Sequence, residues 1–231
     1  MPDNSLGHLQ EVLGVTFSNP ALLREALTHS SFVNENSRAT SNERLEFLGD
    51  AVLGLILAEK LFQDYPSLAE GKLTQMRSQL ICRTSLASIA HAIGLGNYLL
   101  LGQGEAASGG RSKSANLAGA LEAVFAAVYL DCGWESTREC IVRIFKDELA
   151  HIHHEHLGDD YKSHLQETLQ GRFKTAPSYR ITAETGPSHN RQFTAEVMLG
   201  EVVLASGTGR SKKLAEAEAA RTALWALNET K

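Results

Sequence analysis

Residues 42–50 read NERLEFLGD, and the apolar run AVLGLILA follows directly. On a helix, Glu43, Glu46 and Asp50 stand at positions i, i+3 and i+7, which places them within roughly 60° of one another. The opposite side, which we expect to be core, carries Leu45, Leu48, Val52, Leu55 and Ile56. The pattern predicts a central helix over residues 41–64 that is apolar nearly all round and acidic at its start.

Composition and charge limit the classes of protein to consider. The 231 residues contain no apolar run of the ~18–20 residues that a membrane span needs, and no secretory signal is recognisable at the start. The three cysteines lack metal-ligand spacing, which favours reduced thiols and a cytoplasmic location. Residues 1–157 hold twelve Lys and Arg against eighteen Asp and Glu, whereas residues 158–231 hold ten against nine. A polyanion-binding surface is therefore expected in the second part.

The order of patterns predicts two domains. Residues 5–155 read as helices, among them the second apolar helix ANLAGALEAVFAAVYLD. The polar stretch HHEHLGDDY reads as a linker. Residues 159–229 then read as helix, three short alternating strands and helix. The fold class expected is therefore mainly α: an all-α domain followed by a small α+β domain of α-β-β-β-α order.

The acids on the central helix have competing explanations. Glu43 fits a capping box that starts at Thr40, a purely structural role. Glu46 and Asp50 lie too far into the helix for capping, and a buried carboxylate pairs with a cation, protonates or binds a metal. Glu122 is an isolated acid on the second apolar helix. Carboxylates from two packed helices indicate a hard-cation site for Mg²⁺ and phosphodiester hydrolysis.

Three other features also have alternative interpretations. His29 is either a base or, as we favour, a packed and hydrogen-bonded histidine. The histidine cluster of residues 151–156 is either a metal site or, as we favour, solvated linker residues, because its spacing fits no zinc pattern. Ser211, Lys212 and Lys213 at a helix start fit a phosphate clamp or a solvated basic turn. The surrounding α-β-β-β-α order favours the clamp, since this frame spans the minor grooves of double-stranded RNA.

The motifs resemble the ribonuclease III family over roughly residues 6–228. NERLEFLGDAVL is similar to the family's signature stretch, and LTHSSF, EGKLTQMRSQL, LGQGEAASGGR and LEAVFAAVYLD follow in the family's order. DYKSHLQE and GRSKKLAEAEAA resemble its double-stranded RNA-binding domain. The resemblance implies a Mg²⁺-dependent endoribonuclease, with Mn²⁺ as a substitute metal. It further implies a homodimer that cuts RNA duplexes to leave 5′-phosphates and short 3′ overhangs, in processing of ribosomal precursors and some messenger RNAs.

The resemblance also implies roles for individual residues. Glu46 and Glu122 would bind the metal, and Asp50 and Glu122 would be catalytic. Glu43 and Glu70 would lie beside the cleft near the RNA, and Phe47 would insert into a socket on the partner subunit. The RNA-binding positions implied are Gln166, His189, Lys212 and Lys213.

One position departs from the family pattern. The family has an Asp three residues before the Glu of the second apolar helix, and this chain has Gly119. The site is thereby reduced to three carboxylates, and we expect an Asp restored at position 119 to lower the Mg²⁺ requirement. Asn116 is expected to point away from Glu122. The alternative function is a cleavage-impaired duplex-RNA binder, and a DNA nuclease is disfavoured by a binding domain suited to A-form geometry.

Overall fold

The computed structural model describes residues 4–187 and 191–229, with the backbone alone described for residues 4, 5, 154–160, 228 and 229. The chain divides into two compact units, Met1–Glu148 and Leu149–Lys231. Helices build the described part of the first unit, whereas the second unit contains a three-stranded antiparallel sheet and a final helix. The predicted fold class is confirmed.

The helices of the first unit succeed one another with short connections. In order they are α1 (Asn4–Leu13), α2 (Pro20–Ala26), α3 (Ser30–Glu35), α4 (Glu43–Asp64), α5 (Glu70–Ile81), α6 (Arg83–Ala92), α7 (Gln103–Ala107) and α8 (Ser114–Ile144). The start of α2 shows why such ends are stable. Pro20 takes the first helical position, and the Asn19 side chain accepts a hydrogen bond from the Ala21 N–H at 3.2 Å.

Helix α8 runs through the core of the first unit. Leu121, Val124 and Phe125 are fully buried, and the helix packs along α4. At Gly133 the backbone leaves helical geometry (φ 78°, ψ 179°), a conformation that glycine tolerates, so two helical segments meet there. Helix α8 is long and apolar enough to cross a membrane, but 61% of its most apolar window is buried inside the fold. Burial of this kind is typical of a core helix.

Helix α4 differs from its prediction on one side. Leu53, Ile56 and Leu57 are fully buried, as expected of a central helix. Leu55, which was expected in the core, is 58% exposed, and Phe47 is 82% exposed. The expectation of a helix apolar and buried all round is therefore wrong. Hydrophobicity alone does not distinguish core from an exposed apolar stripe, and such a stripe is typical of a contact surface.

The second unit has the predicted order of elements. Its elements are α9 (Lys146–Phe173), β1 (Ser178–Thr185), β2 (Gln192–Leu199), β3 (Val202–Gly209) and α10 (Lys212–Glu229). The strands pair in the order β1-β2-β3, with Tyr179 opposite Val197 and Phe193 opposite Gly209. Gly200 turns the chain from β2 into β3 with a φ of +60°, a value that favours glycine. The predicted α-β-β-β-α frame is confirmed.

Two helices cover one face of this sheet. Leu165 and Leu169, one turn apart on α9, are fully buried in a core shared with Ala219 and Ala220 of α10. Strand β3 lies so close to α10 that a Cβ added at Gly209 would come within 2.6 Å of the Ala215 nitrogen. Small residues on both elements permit this approach.

The predicted linker is helical instead. The stretch HHEHLGDDY lies within α9, which is continuous from Lys146 to Phe173. Its polar composition suggested a loop, but it contains no proline and only one glycine, so nothing in it breaks a helix begun on either side. His154 and His156 lie outside the residues whose side chains are described.

Candidate metal-dependent site and nucleic-acid surface

The candidate site begins where α4 and α8 cross. A Cβ added at Gly49 would collide with the backbone carbonyl of Glu122, so the two helices approach backbone to backbone at this point. Glu46 precedes Gly49 by one turn, Asp50 follows it directly, and Gly119 precedes Glu122 by one turn. The close crossing therefore brings acids from both helices together. Gly49 was not identified from the sequence, although a glycine inside a helix, which costs about 1 kcal/mol against alanine, was a usable signal.

The start of α4 is fixed by a residue other than the predicted cap. Asn42 is the N-cap, and its buried side chain donates to the Ala26 carbonyl at 3.2 Å. Its backbone N–H donates to the Thr28 carbonyl at 2.8 Å. The predicted capping box is wrong, because Glu43 is the first helical residue and its carboxylate accepts from the Ser41 hydroxyl at 2.7 Å. The tertiary bonds of Asn42 set the start of the helix instead.

Two acids at the crossing, Glu46 and Glu122, have raised pKa values. Burial raises the pKa of Glu122 to about 7, and the charges of Asp50 and Glu46 add to that rise. Burial also raises the pKa of Glu46, with a further rise from Glu43 and an opposing contribution from His29. Since every contribution at Glu122 disfavours its charged form, these carboxylates form a cluster of like charge that a cation would stabilise.

The donor set fits a hard divalent cation. Carboxylate oxygens are the ligands preferred by Mg²⁺, whereas softer metals prefer thiolate or imidazole. Within residues 4–187 and 191–229, no three His, Cys, Asp or Glu side chains converge closely enough to form a ready-made metal site. The helices bring Glu46, Asp50 and Glu122 into one region without fixing their oxygens at ligand distances.

His29 has the structural role that the sequence favoured. It is the N-cap of α3, where its Nδ1 accepts the Ser31 N–H at 3.2 Å and lies 2.8 Å from the Ser31 hydroxyl. The Ser31 hydroxyl in turn accepts the Gly102 N–H at 3.0 Å. Because Nδ1 accepts these bonds, the neutral ring carries its proton on Nε2. His29 thus links the first turn of α3 to the loop before α7 while standing near Glu46.

A hydrogen-bonded frame joins α7 to the start of α8. Glu105 forms an ion pair with Lys113 at 2.9 Å. The amide nitrogen of Asn116 donates to Glu105 at 2.7 Å and to the Gly110 carbonyl at 2.9 Å. Asn116 is thereby turned toward the loop, which agrees with the expectation that it does not replace the missing ligand. The sequence analysis did not identify this frame, because its bonds join residues far apart in the chain.

Two further predicted residues lie outside this cluster. Glu70 opens α5 and accepts a hydrogen bond from Thr74 at 3.0 Å, and it contributes to the raised pKa of neither Glu46 nor Glu122. Phe47 projects from α4 beside a groove of about 660 Å³. The apolar part of that groove is lined by Leu22, Leu45, Leu48 and Leu130.

Three of the predicted RNA-binding residues lie on the helices of the second unit. Gln166 is exposed on α9, next to the buried Leu165. Lys212 and Lys213 are exposed in the first turn of α10, where the Ser211 hydroxyl accepts the Leu214 N–H at 3.2 Å. The start of a helix favours anions, and two ammonium groups add to that field. His189, also predicted to contact RNA, lies outside the described residues.

Comparison with known proteins gives a consistent result for both units. Residues 19–148 match the family model described as ribonuclease-III-like, and residues 161–227 match the double-stranded RNA binding motif. Ribonuclease 3 of Dehalococcoides mccartyi strain 195 is 54% identical over 221 residues, which are 95% of this chain and 93% of the relative. Ribonuclease 3 of Natranaerobius thermophilus is 44% identical over 222 residues, 96% of each chain.

A solved structure matches the first unit. The crystal structure of the nuclease domain of ribonuclease III from Campylobacter jejuni has a TM-score of 0.58 and 38% sequence identity. The match covers 63% of this chain and 97% of that domain. A second structure of the same domain, described as showing flexibility in a region involved in dimer formation, also has a TM-score of 0.58.

Proposed function

The chain belongs to the ribonuclease III family and is an endoribonuclease of double-stranded RNA, and from that premise we propose that Glu46, Asp50 and Glu122 form its hydrolytic site. Membership of the family implies a divalent metal cofactor. We further propose that this metal is Mg²⁺, with Mn²⁺ as a substitute, because the site offers carboxylate oxygens. The observation that carries the proposal is the close crossing of α4 and α8 at Gly49, which brings acids from both helices together. The raised pKa of Glu122 agrees with it.

In the proposed site each of the two helices contributes a metal ligand. Glu46 from α4 and Glu122 from α8 would hold the metal, with Asp50 as the third acid. When bound, the metal lowers the pKa of the attacking water and neutralises charge developing on the phosphodiester. Without a metal, burial and the charges of Asp50 and Glu46 raise the pKa of Glu122 to about 7. A bound cation would favour its charged form, in which it would help to orient the attacking water.

Glu43 and Glu70 are proposed to flank the cleft near the RNA. Both are exposed at the first position of their helices, α4 and α5. Carboxylates there do not attract phosphate. Their proposed contribution is therefore to position waters or metal ions at the edge of the site rather than to hold the RNA backbone.

Cleavage of both strands requires two sites on one duplex, and a two-fold dimer supplies them. We propose that Phe47 of each protomer enters the groove that lies next to Phe47 on the other protomer. An 82% exposed phenyl ring next to an apolar groove gives one surface both parts of a self-complementary contact. The exposed Leu55 and Phe62 continue the apolar stripe along α4.

Recognition of the duplex is proposed for the second unit. Lys212 and Lys213 would neutralise phosphates at the start of α10, while Gln166 and His189 would contact the minor groove. Products with 5′-phosphates and short 3′ overhangs, a cytoplasmic location, and ribosomal-precursor and messenger RNAs as targets complete the proposal.

A labelled RNA duplex tests the proposal directly. Incubated with the full-length protein and Mg²⁺, both strands should be cut at staggered positions, and removal of Mg²⁺ with a chelator should stop cleavage while the protein remains bound. A DNA duplex of the same sequence is the control. Cutting that proceeds equally in chelator, or that acts equally on the DNA, would contradict the proposed site or the proposed recognition.

A further inference from the structure

Gly119 lies directly beneath the side chain of Glu46. A Cβ added at Gly119 would stand 2.7 Å from Cδ and Oε2 of Glu46 and 2.9 Å from its Oε1. Carbon and oxygen atoms in ordinary contact are separated by more than 3.4 Å, so no side chain at position 119 is compatible with this position of the carboxylate. The space that a side chain on α8 would fill is occupied by a side chain from α4.

The other glycines on these helices behave differently. At Gly49 an added Cβ would meet the backbone of Glu122, which can yield only if the helices move apart. At Gly54 an added Cβ would meet open space among the described residues. At Gly119 the obstacle is the terminal group of a flexible side chain, which can rotate away at little cost to the fold. Gly119 is therefore unnecessary for helix packing, unlike Gly49.

We propose that Gly119 is a positioning residue: the missing side chain seats the Glu46 carboxylate against α8, beside Glu122. The Glu46 carboxylate extends from α4 and places an acid beside position 119, where α8 carries no side chain. The inference rests on the proposed function, because it concerns how one ligand of that site is held. It adds a role for a residue that offers no ligand atom.

The position of the Glu46 carboxylate over Gly119 changes the effect expected of an aspartate at position 119. The sequence suggested that Gly119→Asp would add a fourth ligand and lower the Mg²⁺ requirement. In the structure the new side chain would enter the space of the Glu46 carboxylate and would carry the same charge, so the two groups repel. In Gly119→Asp the new carboxylate should displace that of Glu46 from this space. The number of acids beside Glu122 would then stay the same, and the Mg²⁺ requirement should not fall.

Gly119→Ala and Gly54→Ala form a matched pair for the test. Each replaces a glycine within a helix by alanine, which favours the helix. Without metal, both variants should melt at or above the melting temperature of the wild-type protein. In a Mg²⁺ titration followed by thermal unfolding, the midpoint of the stabilisation should move about tenfold higher for Gly119→Ala, which corresponds to about 1.4 kcal/mol. Gly54→Ala should keep the wild-type midpoint.

A double-mutant cycle tests the contact itself. In the wild-type background Glu46→Gln should raise the Mg²⁺ midpoint strongly, and in the Gly119→Ala background the same change should have much less effect, because the carboxylate has already moved. Equal effects in both backgrounds would overturn the proposal. So would a wild-type midpoint for Gly119→Ala, or a metal-free melting temperature well below that of wild type, which would show a collision that Glu46 cannot relieve.

Failure of the proposed function can be distinguished from failure of the role proposed for Gly119. If Mg²⁺ neither stabilised the wild-type protein nor supported cleavage, the three-acid site would be wrong and the seat with it. If the wild-type protein bound Mg²⁺ and cleaved duplex RNA while Gly119→Ala matched it in midpoint, only the role of Gly119 would be wrong.

Discussion

The acid cluster at the crossing of α4 and α8 and the basic first turn of α10 are both groups of like charge on helices, yet their surroundings differ. Glu46 and Glu122 are half-buried, and burial raises the pKa of each. Lys212 and Lys213 are exposed. A half-buried group of like charge is tuned for binding a counter-ion and moving protons, whereas an exposed one attracts a polyanion through a field that salt screens.

This difference assigns separate tasks to the two units. Hydrolysis depends on the protonation and position of a few carboxylates, so single substitutions in the cluster should have large effects on rate. Holding the duplex depends on several exposed contacts, each contributing modestly. Substitutions that remove one task while leaving the other intact test the assignment.

A large effect on cleavage is expected for Asp50→Asn. The change keeps the size of the side chain but removes one negative charge from the site and one contribution to the raised pKa of Glu122. Single-turnover cleavage of a labelled duplex should slow by about 10²- to 10⁴-fold. Asp64→Asn at the other end of α4, where Asp64 pairs with Lys60, is the control and should cleave at the wild-type rate. A near-normal rate for Asp50→Asn would remove Asp50 from the site.

The next effect concerns the basic turn. Lys212→Ala combined with Lys213→Ala should weaken duplex binding and reduce the slope of log affinity against log salt by nearly two, one counter-ion for each lost phosphate contact. Lys60→Ala combined with Lys146→Ala removes the same charge elsewhere and serves as the control. Binding measured by fluorescence anisotropy at several salt concentrations gives both slopes. Identical slopes for the two variants would show that α10 makes no phosphate contacts.

A smaller effect is expected for Phe47→Ala. Loss of an exposed aromatic anchor should weaken the proposed dimer by more than about 1 kcal/mol, or roughly fivefold or more in dissociation constant. Sedimentation velocity over a range of concentrations measures this shift. Phe173→Ala, which removes a 53% exposed ring from the second unit, should leave the dimer unchanged. A wild-type protein that stays monomeric at micromolar concentration and still cuts both strands together would contradict the dimer itself.

The smallest effect concerns pH and stability without metal. Glu122 has a folded pKa of about 7 against 4.5 for the ordinary side chain, so the folded state holds an extra proton between these values. Stability contributed by this group is therefore present at low pH and declines as pH rises toward 7, after which it stays level. Urea unfolding between pH 5 and pH 8 should show a shallower decline for Glu122→Gln than for wild type. Parallel curves would mean that Glu122 is not perturbed.

Much of the fold followed from local patterns. The alternating strands and the apolar periodicity of the helices depend on neighbouring residues, so the order of elements was predictable. The start of α4 was not, because the bonds of Asn42 go to Ala26 and Thr28, which lie elsewhere in the sequence. The exposure of Leu55 was missed for a related reason: apolar character does not reveal whether a surface packs within one chain or against another.

The candidate site was predictable in composition but not in arrangement. The acids of NERLEFLGD and the lone Glu122 stand out against apolar helices, so their types and positions could be found in the sequence. The contact between Glu46 and Gly119 joins residues 73 positions apart and depends on the crossing at Gly49. In the sequence, Gly119 stood out only as a missing acid, whereas in the structure the Glu46 carboxylate occupies the space of a side chain at position 119.

The central claim is that the acid cluster hydrolyses duplex RNA and that the second unit binds it. Glu122→Gln tests this claim most directly. The change preserves size and removes the charge from the acid with the largest pKa shift. Cleavage and binding of one labelled duplex should be measured on the same preparation, with wild type alongside. The account predicts that cleavage falls below detection in Mg²⁺ while the dissociation constant stays within about twofold of wild type, a difference below roughly 0.5 kcal/mol. Cleavage at the wild-type rate, or loss of binding together with cleavage, would contradict it.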